Sequence, residues 1–409
     1  MCIRDRAKSK PEIPLGSDLL IYFYYLSLLL INKDGIVTFI TQNSWLSSDY
    51  GKPFQDFLLN NTTIKLIADS IYKYFDEKDA PQINTIITIF KGNKKATTGR
   101  IYFNRYFEDL SKINCQYVDV ENLTKNNLAN VKRYNVLDKI LLEYKWGVLF
   151  EMDNLLLKLL NKMKIKQAKD NVSIGQGLNI SKDNIVKFNL IEGMAISKKA
   201  IPFLTNYDGS PFILKKTQNY IFNSTTITEN ERKFLNSKKI KPVKINSISR
   251  KVPDLILPRG VGKHFCTYNN IWAYSDSYVE IYNTANDTIK KNIWIFLNSS
   301  IAWFLREIAG RKNLGGGMLK AEATDLKQFP ICFDFKSERM INKIYDDLSK
   351  RESENSLLEI ESNEHKAIDK IVFDFLELNE EERTKIIGKL KKLIAFREQK
   401  SQNKKRGNL

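Results

Sequence analysis

The sequence has few of the residues that build metal centres and disulfide scaffolds. Its 409 residues include four cysteines and two histidines, and no two cysteines stand in a Cys-x-x-Cys spacing. His264 and His365 also lack the spacing of paired metal ligands. Because zinc sites and disulfide frameworks need such groupings, the sequence predicts neither.

Long apolar runs and a nucleotide-binding loop are absent as well. The most apolar run, Leu19–Ile31, is shorter than the ~20 residues that cross a bilayer. The residues before it do not have the pattern of a secretory signal, so we expect a cytoplasmic protein with no membrane partner. Gly260-Val261-Gly262-Lys263 lacks the Gly-x-x-x-x-Gly-Lys-Ser/Thr spacing, which excludes a P-loop.

Positive charge, in contrast, is abundant and unevenly distributed. The chain has 65 Lys+Arg against 47 Asp+Glu, a formal charge of +18. By our count about +12 of this charge lies in residues 151–335. A lysine-rich composition from an AT-rich genome would also make the chain basic. The local concentration favours a surface that binds nucleic acid.

The beginning of the chain alternates helix and strand patterns. Met1–Arg6 resembles a translated sequencing adapter, so we exclude it from structural reasoning. Ser17 is placed to cap a helix over Asp18–Asn32. The β-branched runs Ile36–Ile40 and Ile64–Asp69 predict buried parallel strands. We expect Asn84–Phe90 to return antiparallel at the edge of this sheet.

Further along, the patterns are shorter and more mixed. After Phe335 the chain becomes strongly helical and highly charged. The elements predicted between these regions are strands at Tyr117–Val120, Ile240–Ile245 and Val252–Leu257 and helices at Asn130–Leu142, Met152–Met163 and Asn292–Ala309.

The run from Asp18 to Phe90 resembles the region after the Asn-Pro-Pro-Tyr motif of DNA adenine amino-methyltransferases. That motif supplies the hydrogen-bond acceptors for the target amino group, and it does not occur in this chain. The resemblance therefore implies the C-terminal part of a catalytic domain, and we assign no catalytic residue here. S-adenosylmethionine is the implied cofactor.

Four residues correspond to positions that line the family's active site. Asp18 and Phe23 lie at the start of the first helix, which matches the family's helix after the catalytic loop, and both are expected to bind the cofactor. Phe23 matches the aromatic residue whose ring helps to enclose the cofactor's adenine. Asn43 follows the next strand in Gln42-Asn43-Ser44, where the family has Pro-Asn-Ser, and is expected to line the site. Helix capping by Asn43 or packing of Phe23 in the core are the structural alternatives. Phe75 matches the aromatic that stacks on the flipped adenine, although Tyr74 could take that role.

Residues 171–335 resemble the TaqI-type C-terminal specificity domain. The matching blocks are Pro253–Gly260, Asn298-Ser299-Ser300 with Trp303, and Leu319–Ile331. This resemblance implies contacts between basic side chains and DNA phosphates. The expected DNA-binding residues are Lys238, Lys239, Lys241, Lys244, Arg250, Lys251, Arg259, Lys263, Arg311 and Lys312.

Together these patterns predict an α/β fold. It would comprise the C-terminal part of a Rossmann-like methyltransferase sheet (7–110), a connecting segment (111–170), a mixed α+β target-recognition domain (171–335) and a helical C-terminal region with a basic tail (336–409).

The implied activity is methylation of adenine N6 in double-stranded DNA by base flipping, as part of a restriction–modification system. A non-catalytic specificity subunit working with a separate methyltransferase is the alternative, and an RNA-modifying enzyme a third. Whether a nuclease domain or subunit accompanies the chain is left open. We expect this chain alone neither to methylate DNA nor to hold the cofactor tightly, and to expose an apolar sheet edge.

Overall fold

A computed structural model describes residues 13, 16–32, 35–70, 84–92, 99–110, 120–135, 137–166, 172–205, 209–245, 251–282, 284–311 and 318–402. The chain divides into two compact units. The first unit comprises the described parts of 1–158, 307–320 and 392–409, and the second those of 159–306 and 321–391. Among the described residues, no helix is both long and apolar enough to cross a membrane.

The elements up to residue 166 are seven-to-nine-residue strands and intervening helices. They are α1 (Leu19–Leu30), β1 (Ile36–Gln42), α2 (Gly51–Asn61), β2 (Thr62–Ser70), β3 (Thr85–Gly92), β4 (Arg100–Tyr106), α3 (Val120–Lys125), β5 (Ala129–Asn135), α4 (Ile140–Glu143), α5 (Trp146–Leu149) and α6 (Asn154–Lys166).

The five strands form one sheet in the order β1-β3-β2-β4-β5. Strand β3 is antiparallel to both β1 and β2, and β4 is parallel to β2. Because β1 and β2 share an antiparallel neighbour, they run in the same direction. The carboxyl ends of β1, β2 and β4 therefore meet at one edge of the sheet.

Tyr24 joins helix α1 to this sheet. Its ring is fully buried among Phe39, Phe54 and Phe90. The hydroxyl shares hydrogen bonds with the Thr88 hydroxyl at 2.7 Å and with that of Thr41 at 3.2 Å. Burial raises the pKa of this phenol. The helix is thus fixed to two strands by both apolar and polar contacts.

The outer side of α1 and the free edge of β1 are apolar and exposed. Strand β1 pairs only with β3 among the described residues. Exposed large side chains on these two elements are Leu19, Tyr22, Phe23, Leu26, Leu29, Leu30, Ile36 and Ile40. The structure therefore contains the exposed apolar edge that the sequence predicted.

The remaining elements are mostly short strands followed by helices. They are β6 (Ser173–Gln176), β7 (Val186–Lys187), β8 (Ile201–Leu204), β9 (Ile213–Leu214), β10 (Asn219–Ile221), α7 (Glu229–Ser237), β11 (Leu255–Leu257), β12 (Gly260–Val261), β13 (Thr267–Asn269), β14 (Tyr274–Ser275), β15 (Val279–Tyr282), α8 (Asp287–Leu297), α9 (Ser300–Ala309), β16 (Leu319–Lys320), α10 (Ala323–Leu326), α11 (Glu338–Leu348), α12 (Ser356–Glu359), α13 (Asn363–Phe375) and α14 (Glu380–Gln402).

Two sheets lie in the second unit. One has the order β14-β8-β10-β7 and the other β6-β15-β11-β13-β9. Helices α8 and α13 pack against each other beside them. Buried Ser300, His365 and Asp369 connect the start of α9 to α13, because the Ser300 hydroxyl lies 2.9 Å from His365 Nε2 and donates to Asp369 at 2.6 Å.

Three sheet-level expectations were wrong. Strand β3 is antiparallel as expected, but it lies between β1 and β2 rather than at an edge. Strands β1 and β2 run in the same direction, but β1 is partly exposed rather than buried. The predicted helix Asn130–Leu142 is instead strand β5 followed by the short α4. Asn and β-branched residues are weak helix formers, and pairing with β4 decides the conformation.

Other element predictions need smaller corrections. Asp18 rather than Ser17 caps α1. Ile240–Ile245 is not a strand and contains a single bridge at Val243, next to Pro242, which has no N–H to donate. The helix predicted over Asn292–Ala309 is divided into α8 and α9 at Asn298. Helix α3 begins at Val120, and the rest of the strand predicted at Tyr117–Val120 lies outside the described residues.

Candidate functional site at the strand ends

Polar residues follow or end three strands at the shared carboxyl edge of the first sheet. Asn43 comes directly after β1, Asp69 is near the end of β2, and Arg105 is near the end of β4. Open α/β sheets bind ligands at this edge. These three side chains line one cavity of about 30 Å³, together with Leu46, Ser47, Gly147, Phe150, Ile308, Gly310 and Arg311.

A buried ion-pair group forms one wall of this cavity. Arg105 Nε donates to Asp69 at 3.2 Å, and the same guanidinium is paired with Glu151. Its cationic carbon lies over the rings of Phe150 and Phe396 at 5.2 and 5.3 Å from their centroids. Removing Arg105 or one of its two carboxylate partners would leave a buried charge uncompensated, which is strongly destabilising. The ion pair of Arg105 with Asp69 therefore holds the end of β2 in place.

The end of β2 leads into the segment that contains Phe75. Asp69 Oδ1 also accepts a hydrogen bond from the Ser70 N–H at 2.9 Å. Residues 71–83, and Phe75 with them, lie outside the described residues. Asn84, just after that segment, accepts a hydrogen bond from the Asn43 N–H at 3.0 Å. The structure therefore fixes both ends of the predicted base-stacking segment at the edge that bears Asn43.

Asn43 itself lies at the position predicted for a site-lining residue. It precedes a 3₁₀ turn, Ser44–Leu46, but its side chain makes no capping hydrogen bond to that turn. The Ser44 hydroxyl shares a hydrogen bond with the Tyr50 hydroxyl at 2.8 Å. Asn43 is thus a lining residue of the cavity and does not cap the turn.

The two residues predicted to bind cofactor occupy different environments. The Asp18 carboxylate accepts from the Leu20 N–H at 3.2 Å and from the Gln42 side-chain amide. It therefore caps α1 and ties the helix to the end of β1. Phe23 is 55% exposed on the outer side of α1, and it is not part of the core.

The cavity lined by Asn43, Asp69 and Arg105 is too small to hold S-adenosylmethionine. The cavity at the strand ends has room for only one or two water molecules, whereas pockets for molecules of that size measure ~300–1,000 Å³. Both oxygens of Asp18 are engaged within the fold. We therefore derive no chemical step through this cofactor.

The predicted DNA-binding residues comprise one exposed lysine segment, four dispersed residues and two residues outside the described ranges. Lys238, Lys239, Lys241 and Lys244 are exposed along one segment of the second unit that follows α7, and Lys241 is paired with Asp183 at 3.0 Å.

The remaining residues are more dispersed. Lys251 is exposed, Arg259 is half-buried, and Lys263 donates to the Ser353 carbonyl at 3.0 Å. Arg311 lines the cavity in the first unit. Arg250 and Lys312 lie outside the described residues.

Sequence reasoning missed Asp69 and Arg105 as neighbours of Asn43. Their signal is a charged residue near the end of an otherwise apolar strand. The β4 run Arg100–Tyr106 mixes charged, aromatic and polar residues with a single aliphatic one, and the sequence pattern predicts no strand there.

Residues 8–75 match the family model described as Eco57I restriction-modification methylase. The match includes α1 to β2. No curated protein matches this chain.

Solved structures of restriction-modification enzymes are among those similar to this chain. The type IIL restriction-modification enzyme MmeI, in complex with DNA, is 13% identical with a TM-score of 0.53, over 93% of this chain and 53% of that one. The type IIG restriction endonuclease BpuSI is 11% identical with a TM-score of 0.45, over 100% of this chain and 52% of that one. This chain thus spans about half the length of either enzyme. The likeness to MmeI confirms the predicted fold class, an α/β methyltransferase-type sheet followed by a mixed region and a helical tail.

Proposed function

We propose that this chain is part of a site-specific DNA methyltransferase of a restriction–modification system. The whole enzyme would transfer a methyl group from S-adenosylmethionine to N6 of an adenine in duplex DNA. The match of residues 8–75 to the restriction-modification methylase model carries this proposal. A nuclease domain or subunit would supply the restriction activity.

The segment that carries Phe75 would hold the target base outside the double helix. Methylation of an exocyclic amino group requires the base to leave the stack. Phe75 would stack on the extruded adenine, which recovers ~1–3 kcal/mol of the lost stacking. Asn43, beside the segment that carries Phe75, would contact the base or its sugar. The Arg105–Asp69 ion pair would keep that segment in place.

The second unit would provide most of the affinity for DNA. The exposed Lys238–Lys244 group would contact phosphates, which contribute strongly to affinity but carry no sequence information. The main binding site for S-adenosylmethionine and the catalytic Asn-Pro-Pro-Tyr acceptors would be formed by polypeptide other than the described residues.

The proposal is tested by sequencing the native locus upstream of residue 7 and expressing the complete reading frame. We expect a frame that encodes Asn/Asp-Pro-Pro-Tyr and yields N6-methyladenine in host DNA, measured by mass spectrometry of nucleosides. The chain alone should transfer no labelled methyl group to DNA. A genuine start codon near residue 7, without a methylating frame, would reject catalysis and favour the specificity-subunit alternative.

Phe75→Ala in the complete enzyme should weaken base flipping, because the extruded adenine loses its stacking partner. The fluorescence of 2-aminopurine at the target position should change less than with the wild-type enzyme. Phe75→Tyr is the matched control and should retain the signal. An unchanged signal in Phe75→Ala would assign the stacking role to another residue, with Tyr74 the first to examine.

A further inference from the structure

Trp272 differs from every other tryptophan in the chain. It is 76% exposed, whereas the side chains of the other four are fully buried. Its φ of 59° lies in the left-handed region, which is unfavourable for a bulky side chain and recurs at functional sites. The chain therefore places a large aromatic ring in solvent in a conformation that local preferences oppose.

The turn that carries Trp272 is held rigidly by Asn269. The Asn269 amide donates to the Pro253 carbonyl at 2.7 Å and to the Ala273 carbonyl at 2.8 Å. Its carbonyl oxygen accepts from the Ala273 N–H at 3.1 Å. Asn269 is buried, so these bonds are protected from water. A turn whose backbone is already fixed loses little further conformational freedom when a ligand binds to it.

Two exposed lysines follow the strand next to this turn. Leu214, the last residue of β9, pairs in parallel with Asn269, and its carbonyl accepts from the Asn270 N–H at 3.3 Å. Lys215 and Lys216 come directly after Leu214, and both are exposed. They therefore leave β9 at the point where the Trp272 turn begins.

The chain beyond these lysines returns to the other end of the turn. Thr217 donates its hydroxyl to the Phe203 carbonyl at 3.1 Å. Phe203 pairs with Tyr274, two residues after Trp272. The residues on either side of the two lysines thus contact the strands that flank Trp272: Leu214 pairs with Asn269, and Thr217 bonds to Phe203. The result is an exposed aromatic ring and two exposed lysines on neighbouring segments of the second unit.

We propose that Trp272, Lys215 and Lys216 form a nucleic-acid contact in which the indole stacks on an unstacked base and the lysines bind the adjoining phosphates. The inference rests on the proposed function and adds a base-contacting element to it. Stacking tolerates any base because every base has a π-face, and lysines at phosphates position the backbone. The lysine pair favours a polyanion over an apolar protein segment.

Intrinsic fluorescence can test this contact, because Trp272 is the one solvent-accessible indole. The full chain is titrated with a short duplex that carries one unpaired base, and with the same duplex fully paired. Trp272→Phe provides the background from the four buried indoles. We expect the unpaired-base duplex to quench the Trp272 signal and to protect it from acrylamide.

Affinity measurements on variants supply the second readout. Trp272→Ala should weaken binding of the unpaired-base duplex roughly 5- to 150-fold, the equivalent of the ~1–3 kcal/mol that stacking contributes. Trp272→Tyr should restore most of that affinity. Trp272→Gly also removes the ring and suits a positive φ, so it remains informative if Trp272→Ala folds poorly. Lys215→Ala with Lys216→Ala should lower the salt-dependence slope by about 2.

Each outcome decides the question. Quenching together with weaker binding in the ring-deleted variants supports the contact. Equal binding of DNA by wild type and Trp272→Gly, with no protection of the indole, overturns it and leaves the proposed function intact. Failure of the wild-type chain to bind any DNA overturns both the contact and the DNA-binding role of the second unit.

Discussion

The two units use different means to hold their sheets together. Strands β1 to β5 have seven to nine residues each and form long ladders, with one register shift between Ile64 and Leu66. The strands in the two sheets of the second unit have only two to four residues. So few residues provide few ladder hydrogen bonds.

Buried amide side chains replace the missing ladder bonds in the second unit. Asn298 accepts from the Cys266 N–H at 2.8 Å and donates to the carbonyl of the same residue at 3.1 Å. Asn223 accepts from the Ile245 N–H and donates to its carbonyl in the same way. The first unit should therefore be most sensitive to loss of apolar volume, and the second to loss of single polar side chains.

Trp45→Ala should have the largest effect on stability. Trp45 is fully buried, and its ring centroid lies 5.1 Å from that of Phe54 and 5.8 Å from that of Trp146. Removing a core tryptophan costs about 3–5 kcal/mol of unfolding free energy. Hydrogen exchange in peptides from β1 to β5 measures the loss within the first unit.

Trp272→Ala is the control for this experiment. The same substitution at an exposed position should change the unfolding free energy by no more than about 0.5 kcal/mol. Comparable losses of unfolding free energy in Trp45→Ala and Trp272→Ala would show that apolar packing is not the main source of stability in the first unit.

Asn269→Ala tests the polar side of the comparison. It leaves the carbonyls of Pro253 and Ala273 buried without their partner, which should cost about 2–3 kcal/mol. The adjacent Asn270→Ala, at an exposed residue, should cost under about 0.5 kcal/mol. Chemical denaturation followed by hydrogen exchange in β13 and β14 measures both. Equal stability of the two variants would show that the amide contacts do not hold this turn.

Acid should weaken the second unit before the first. Burial alone would raise the pKa of Glu359. The pKa is nevertheless below its ordinary value, because the carboxylate accepts hydrogen bonds from Arg351 at 2.7 and 2.8 Å and from the Glu354 N–H. A lowered pKa in the folded state gives stability that is present above the unfolded value of 4.5 and is lost as pH falls through the folded value. Carboxylates of the second unit whose pKa values are lowered in the fold include Glu231, Asp287, Glu359, Glu361, Asp374, Glu377 and Glu381.

Glu359→Gln should therefore flatten the acid dependence of the second unit while lowering its stability at neutral pH. Thermal unfolding across acid pH, with unit-specific hydrogen exchange, measures this effect, which should be the smallest of the three. Glu354→Gln, at an exposed neighbour that contributes only its N–H, should follow the wild-type curve. A first unit that unfolds earlier in acid would reverse the comparison.

The sequence predicted the first unit better than the second for a physical reason. The apolar runs of β1, β2 and β3 are long enough to show as strands, and α1 is apolar all round. Pairing partners are not encoded in such runs, so β3 was placed at the wrong position. The sequence does not predict strand β5, because asparagines and the adjacent Lys132 and Arg133 leave it without a long apolar stretch.

In the second unit, strands of two to four residues are too short to establish a period. The asparagines that hold them have the composition of loops, so their role emerges only from the fold. For the candidate site, Asn43 could be predicted from its place after a strand. Arg105 could not, because its partners Asp69 and Glu151 are far from it in the sequence.

The attachment of α1 through Tyr24 has a kinetic consequence. With its hydroxyl bonded to Thr88 and Thr41, the helix presents its outer apolar side as a preformed surface. A polypeptide can bind this surface without a preceding conformational change in α1. Its observed association rate should rise linearly with concentration, and its binding should show the negative heat-capacity change of apolar burial.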